Sequence, residues 1–427
     1  MGTLHRKVWL SEGAGRSRKE RASGAYEYFL PTKLADMEIA LESDVVGDVG
    51  RAEAAIAKLN GEARALHSTE GLARLLLRAE AVSSSYIEGL RIGTRRLLKA
   101  EMSLSGTAAF GFDEPAAEVV GNIHAMECAI DAAAAAEEIG GGTILGIHRA
   151  LCENTRIERF GGEVRTVQNW VGGNSYNPLQ ADYVPPAPEQ VMNLLEDLAA
   201  YCNDEVVSPV VQAALVHAQF ESIHPFIDGN GRTGRALIHL ILKRRGLASN
   251  LVPPISLCMA TRAVDYVQGL GRFRYVDGDD PTQIRARLND WVSFFSGSCL
   301  RACEEAQGFE ESARALQAGW REKLGTVRKG SALEVLLDEM VGMPIFTIGT
   351  ASESAGRAFS AMSAAVGRCI EAGIVKPVGN RRRNRVFEAP DVINEFNIFE
   401  RRLASSSGDT RIAKPARAVP ENLSKRG

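Results

Sequence analysis

The chain has 427 residues, 45% of them hydrophobic and 24% charged, which is room for two or three domains and a sizeable buried core. Its 50 Lys and Arg against 53 Asp and Glu leave a formal charge of −3; this excludes a global field for nucleic acid or membrane and makes any basic surface local. No apolar run reaches the roughly 18 residues of a membrane span, and no apolar core follows the basic N-terminal residues, so the sequence predicts no signal peptide, no membrane contact and a cytoplasmic location.

Residues 1–24 are rich in Gly, Ser, Arg and Lys and are expected to be disordered, with order starting near Tyr26 to Pro31. Residues 25–112 read as a helical N-terminal region. Within it, Ser84 and Glu88 of Ser83-Ser84-Ser85-Tyr86-Ile87-Glu88-Gly89 lie one helical turn apart, and Gly89 supplies a helix stop. Taken alone, that stretch reads as an ordinary exposed helix. Asp113-Glu114-Pro115 opens the next region, 113–306, with a helix start. Thr143 caps a helix carrying Ile144, Leu145, Ile147 and Leu151, in which His148 reads as a core or surface histidine. From Phe160 to Asn174 the helical trend breaks, and Val164, Thr166, Val167, Trp170 and Val171 predict a short β-hairpin. Tyr183-Val184-Pro185-Pro186 is a rigid elbow, and Pro188 and Glu189 start a helix running to about Tyr201. The seven cysteines are odd in number and form no C-x-x-C pair or Cys/His cluster, which fits reduced, buried thiols.

The densest stretch is His224-Pro225-Phe226-Ile227-Asp228-Gly229-Asn230-Gly231-Arg232-Thr233-Gly234-Arg235. Val211, Leu215, Ala218 and Phe220 recur at helical spacing before it and stop at Pro225, so His224 sits near a helix end. Arg232 to Arg245 reads as a second helix with Leu237, Ile238, Ile241 and Leu242 on its apolar face. The glycine loop therefore opens a helix N-terminus, where unpaired N–H groups and a partial positive charge hold anions and Gly229 and Gly231 admit a phosphate without a Cβ. Arg232 and Arg235, at i and i+3, can both fork onto phosphate oxygens. Asp228 is a hard oxygen ligand suited to Mg²⁺. His224 can accept a hydroxyl proton near neutral pH. Base, metal ligand and anion clamp together point to nucleotidyl or phosphoryl transfer.

Beyond this pair, Leu251 to Ala306 continues helical, with Tyr266, Leu270, Trp291, Phe294 and Phe295 as apolar anchors. Residues 307–330 read as a charged linker helix. Residues 331–390 form a unit with a helix over Ala332 to Val341, a strand over Pro344 to Thr347, a helix pair over Thr350 to Gly356 and Ser360 to Ala372, and a hairpin. The hairpin tip is Gly379-Asn380-Arg381-Arg382-Arg383-Asn384-Arg385, with Val386-Phe387 on the return strand. Residues 391–427 are a helix end and a disordered tail.

The 224–235 stretch matches H-P-F-x-D-G-N-G-R-x-x-R throughout, and on it the chain resembles the Fic (filamentation-induced-by-cAMP) family. The resemblance implies a mainly α, Fic-type helical bundle with a small β-hairpin flap, and an AMP transferase. In such an enzyme a Ser, Thr or Tyr hydroxyl of a target protein, or of the enzyme itself, attacks the α-phosphate of ATP. It implies that His224 is the base and Asp228 the Mg²⁺ ligand. Gly229, Asn230, Gly231 and Arg232 then hold the phosphates, Arg235 takes the γ-phosphate, and Phe226 anchors the loop. Ser84 and Glu88 match the family's inhibitory helix, in which the glutamate pairs with Arg235 or, in some relatives, helps remove AMP from modified targets. The hairpin position corresponds to the flap, with Trp170 a flap contact or hairpin packing, and Tyr266 lies near the adenine pocket, although Thr261-Arg262 departs from the Asn common thereabouts. Relatives with an N-terminal inhibitory helix often form homodimers, and the pattern over 331–390 resembles the winged-helix appendage of many members. Arg381, Arg382, Arg383 and Arg385 would then contact DNA, or the unit would dock protein. Alternative readings are a DNA-binding regulator with a nucleotide-sensing core and an adaptor held silent by Glu88.

Overall fold

The computed structural model describes residues 2–63, 69–108, 110–276, 278–379 and 385–405. In chain order the elements are β1 (Gly2–Trp9), β2 (Gly24–Pro31), α1 (Ser43–Ala63), α2 (Thr69–Ile87), α3 (Thr94–Leu104), α4 (Glu114–Ala135), α5 (Gly141–Cys152), α6 (Pro188–Tyr201), α7 (Pro209–Ile223) and α8 (Asn230–Arg244). There follow α9 (Ile255–Thr261), α10 (Ala263–Phe273), α11 (Pro281–Leu324), α12 (Ala332–Gly342), β3 (Ile345–Thr347), α13 (Ile348–Ser354), α14 (Phe359–Glu371), β4 (Lys376–Val378), β5 (Val386–Glu388) and α15 (Pro390–Leu403). The protein is mainly helical, as expected, with two small antiparallel sheets among the described residues.

Two compact units divide the chain. The first comprises Met1–Glu53, His124–Gly246 and Val264–Gly297. Its centre is α7, where Pro209 takes an N-terminal helical position and every residue from Val210 to Ile223 is buried. A helix buried on every face lies inside a core, and its Gln212, His217, Gln219, Glu221 and Ser222 are buried with the rest. Its neighbour α8 is buried from Asn230 to Leu242 and emerges only at Lys243 and Arg244. Gly234 allows the pair to close: a Cβ there would lie 2.7 Å from Glu221 Oε1 and 2.9 Å from Phe220 Cδ1.

The second unit comprises Ala54–Ile123, Leu247–Ala263 and Ser298–Gly427. Ser331 caps α12 by accepting from Glu334 N–H, and Thr347 with Thr350 forms a capping box at α13. Strands order β3-β5-β4, with Phe346 opposite Phe387 and Pro377 opposite Phe387. Glu80, fully buried in α2, accepts from Ser256 N–H at 2.8 Å and so holds the first turn of α9.

Four expectations change. The segment expected to be disordered, 1–24, contributes β1, which pairs in full register with β2 from Gly2↔Pro31 to Trp9↔Gly24 and stacks His5 on Tyr28 at 5.3 Å. The hairpin expected near 164–171 is an irregular loop with one antiparallel bridge, Val171↔Tyr183; Gly172 and Gly173, at φ 77° and 69°, turn the chain out of strand geometry. The boundary expected at 306 falls instead between Gly297 and Ser298, within α11, which runs for 44 residues. Residues 331–390 are not packed alone: Ile345 and Val386 share a core with Leu98 and Met102 of α3 and Ile393 of α15, and Glu388 receives Arg95 of α3 at 3.0 Å.

Candidate functional site

The loop between α7 and α8 starts at His224, which closes α7 in the left-handed region at φ 49° and ψ 60°. A non-glycine residue holds that conformation only when its surroundings impose it. Here three side chains satisfy the last carbonyls of α7. Arg274 donates to Glu221 O at 3.1 Å, the Tyr183 hydroxyl donates to Ser222 O, and Arg165 Nε donates to His224 O at 2.9 Å. Arg165 is 2% exposed and spends its other donors on Val167 O and Pro186 O. Burial pushes it down to about 10, which leaves it cationic at neutral pH. Arg274 lies 3.6 Å over the Tyr183 ring, and burial raises that phenol to about 12.

The His224 imidazole follows from this setting. Its Nδ1 is 3.0 Å from Asn169 Nδ2 and 3.3 Å from Asn230 Nδ2. Burial, followed by the guanidinium charges of Arg274 and Arg165, pushes its pKa down to about 3. The ring is therefore neutral across the physiological range.

The glycine loop is seated from below. Gly229 has φ 80°, and a Cβ there would lie 2.7 Å from Leu151 Cδ2. Asn230 clamps the turn, accepting from Phe226 N–H and donating to Phe226 O, both at 2.8 Å. His148 of α5 stacks on Phe226 at 3.6 Å and 2°, its Nδ1 accepts from Gly162 N–H at 3.0 Å, and its Nε2 meets Asp228 O at 3.0 Å. Burial pushes this imidazole down to about 4. The first-turn N–H groups of α8 have no intrahelical acceptors.

Asp228 Oδ1 accepts from Gly229 N–H at 2.6 Å and from Arg232 at 3.3 Å, while Arg156 stands 3.8 Å from Oδ2. Among the described residues no three His, Cys, Asp or Glu side chains converge as a metal cage. One half-exposed carboxylate beside a phosphate cradle fits Mg²⁺, which retains waters and takes substrate phosphates as its other ligands. Arg235 is buried, with Nη1 3.4 Å from the Tyr266 hydroxyl, which in turn meets His217 Nε2 at 2.8 Å. Tyr266, expected near an adenine pocket, is buried against His217 and Trp291 and thus supports Arg235 from the core.

Trp170, expected as a flap contact or as hairpin packing, donates from its indole N–H to Asn174 O at 2.7 Å and packs edge-on against Trp9 at 5.4 Å. Ser84 is buried near the end of α2, and Glu88 stands in the closing turn, where Gly89 at φ 85° donates to Tyr86 O and Leu90 N–H to Ser85 O. Both belong to the second unit. Arg385 is exposed, 5.1 Å over the Phe387 ring, whereas Arg381, Arg382 and Arg383 lie outside the described residues. Sequence reasoning missed Arg165, Asn169, His148, Tyr183 and Arg274 as supports of the loop. The available signal was the cluster Arg165, Gln168, Asn169 and Trp170 in a glycine-bounded stretch too polar for a buried hairpin.

The fold and the loop together define a helical protein that places a neutral imidazole beside the glycine-opened N-terminus of a buried helix. Residues 141–242 match the Fic/DOC family and residues 46–131 the N-terminal region of that family. It is 37% identical over 145 residues to the protein adenylyltransferase fic-1 of Caenorhabditis elegans, covering 32% of this chain and 26% of that protein. It is 35% identical over 164 residues to the protein adenylyltransferase Fic of Drosophila erecta, covering 38% of this chain and 30% of that protein. The chain thus spans under a third of these relatives' length. In fold it resembles a Fic family protein from Desulfovibrio desulfuricans G20, with a TM-score of 0.50 and 18% identity over 83% of this chain and 98% of that one.

Proposed function

We propose that the chain is an autoinhibited, Mg²⁺-dependent protein adenylyltransferase that moves AMP from ATP to a Ser, Thr or Tyr hydroxyl. The observation that carries this reading is the neutral His224 imidazole beside the cradle of Gly229 to Arg232. The names of the adenylyltransferase relatives point the same way.

In this account the N–H groups opening α8, with Asn230 and Arg232, bind the phosphates, and Arg235 takes the γ-phosphate. Mg²⁺, held by Asp228, supplies charge neutralisation along the triphosphate. His224 takes the proton of the target hydroxyl as its oxygen bonds to the α-phosphorus, and the bond from that phosphorus to pyrophosphate breaks. The Arg232 contact of Asp228 passes to the phosphates when nucleotide enters, freeing the carboxylate for the cation. Exposed Val167, Val171 and Ile227 supply apolar surface beside the site for the target segment. Glu88 restrains the reaction by pairing with Arg235 and denying it to the γ-phosphate, which leaves the α-phosphate misaligned.

The element order from α12 to β5 supports reading 331–390 as a winged helix. It serves protein docking in this account, because α14 offers Arg368 as its one cation, and that side chain already donates to Leu324 O at 3.0 Å.

Incubation of purified protein with labelled ATP and Mg²⁺ tests the function. Self-labelling should appear, rise at least tenfold in Glu88→Gly, and fall by about 10²- to 10⁴-fold in His224→Ala, the range a general base contributes. Labelling that survives His224→Ala would contradict the reading.

A further inference from the structure

We infer that Asn169 is a positioning residue that sets the tautomer of His224, holding the proton on Nε2 at rest and accepting Nδ1–H when its amide turns. The inference rests on His224 being the base, and its test reads the tautomer apart from activity.

At rest, the backbone groups around them set the amide orientations. Asn230 Oδ1 accepts from Phe226 N–H and its Nδ2 donates to Phe226 O, so its nitrogen faces His224. Asn169 Nδ2 lies 2.9 Å from Phe226 O and 3.3 Å from His224 O. Turning this amide over would set its oxygen against both carbonyls. Two N–H donors therefore converge on Nδ1, which must present its lone pair. In a neutral imidazole the single proton then sits on Nε2.

Nε2 is the nitrogen left to face a substrate hydroxyl, and with a proton on it the ring can donate but not accept. A base at Nε2 requires the proton on Nδ1, and a proton on Nδ1 requires an acceptor. The acceptor is present: Asn169 Oδ1 is buried and, among the described residues, has no hydrogen-bond partner. A buried acceptor without a donor is costly unless another state uses it. Rotation of the Asn169 amide carries Oδ1 to Nδ1, as one proton leaves Nε2 for water and one arrives at Nδ1, with no change in net charge. The exchange gives up the Asn169 bonds to Phe226 O and His224 O and turns Oδ1 toward those carbonyls, a cost that keeps the resting tautomer favoured.

Nitrogen-15 correlation spectra of histidine-labelled protein test this directly, with Glu88→Gly as the parent for kinetics. In the wild type, His224 should show a protonated Nε2 and a bare Nδ1. Asn169→Asp places an acceptor at Nδ1 and should move the proton there, with AMP transfer at or above the parent's. Asn169→Ala should leave the proton on Nε2 and lower kcat at least tenfold, with KM for ATP within twofold. A protonated Nδ1 in the wild type, or an unchanged His224 signature in Asn169→Asp, overturns the inference. Spectra as expected with no labelling in the parent leave the tautomer assignment standing and overturn the proposed activity instead.

Discussion

A histidine whose pKa is held at about 3 behaves differently from one titrating at 6.5. As the proposed base, His224 is expected to remain competent well below neutrality. The account therefore predicts that kcat/KM for AMP transfer changes by less than twofold between pH 7.5 and pH 5.5, read from initial rates of self-labelling; a tenfold fall over that interval would mean an imidazole of ordinary pKa. The residues of 224–235 stand out in the sequence because a histidine, a carboxylate, glycines and arginines fall within one turn and the adjoining helix. Arg165, Asn169 and His148 do not, because each acts on the loop from 55 to 80 residues away in sequence. Nothing local distinguishes a histidine that stacks on Phe226 from any other histidine on a helix.

At the scale of elements, α7 and α8 must nearly touch for the loop between them to be this tight. Gly234→Ala puts a methyl 2.7 Å from Glu221 Oε1 and is expected to cost about 1–3 kcal/mol by overpacking, measured by denaturant unfolding. A cost below a few tenths would mean the helices have room to part. The helix pair was readable from apolar spacing and from Pro225. The hairpins were not: β-branched residues at 164, 166, 167 and 171 suggested a strand pair, but the run contains Asn169 and ends in two glycines at positive φ. The true N-terminal hairpin was hidden by a basic, glycine-rich connection with the composition of a disordered segment. Its order comes from pairing at a distance, with Tyr26 and Phe29 buried and Trp9 against Trp170.

At the scale of the molecule, three imidazoles among the described residues lie below their ordinary value: His148 at about 4 and His217 and His224 at about 3, burial being the first cause of each. Unfolded, each takes a proton below about pH 6.5, whereas folded each does so only near 3 to 4, so the unfolded state binds more protons in between. Their contribution to stability is full above about 6.5 and is lost as the pH falls toward 4. Melting temperature should thus drop steadily from pH 7 to pH 4.5, and His148→Gln should flatten that slope; an unchanged slope would place the acid sensitivity elsewhere. Helical class was legible throughout, since periodicity is local. The two interleaved units were not, because each is closed by contacts between segments separated by more than a hundred residues, such as Ile345 with Leu98.

The central claim is that His224 takes the hydroxyl proton in AMP transfer and that Glu88 restrains it. Intact mass of Glu88→Gly after incubation with ATP and Mg²⁺ tests both at once. The account predicts addition of AMP that disappears in the double variant Glu88→Gly/His224→Ala; the same adduct in the double variant, or none in Glu88→Gly with ATP, UTP, GTP or CTP, would contradict it.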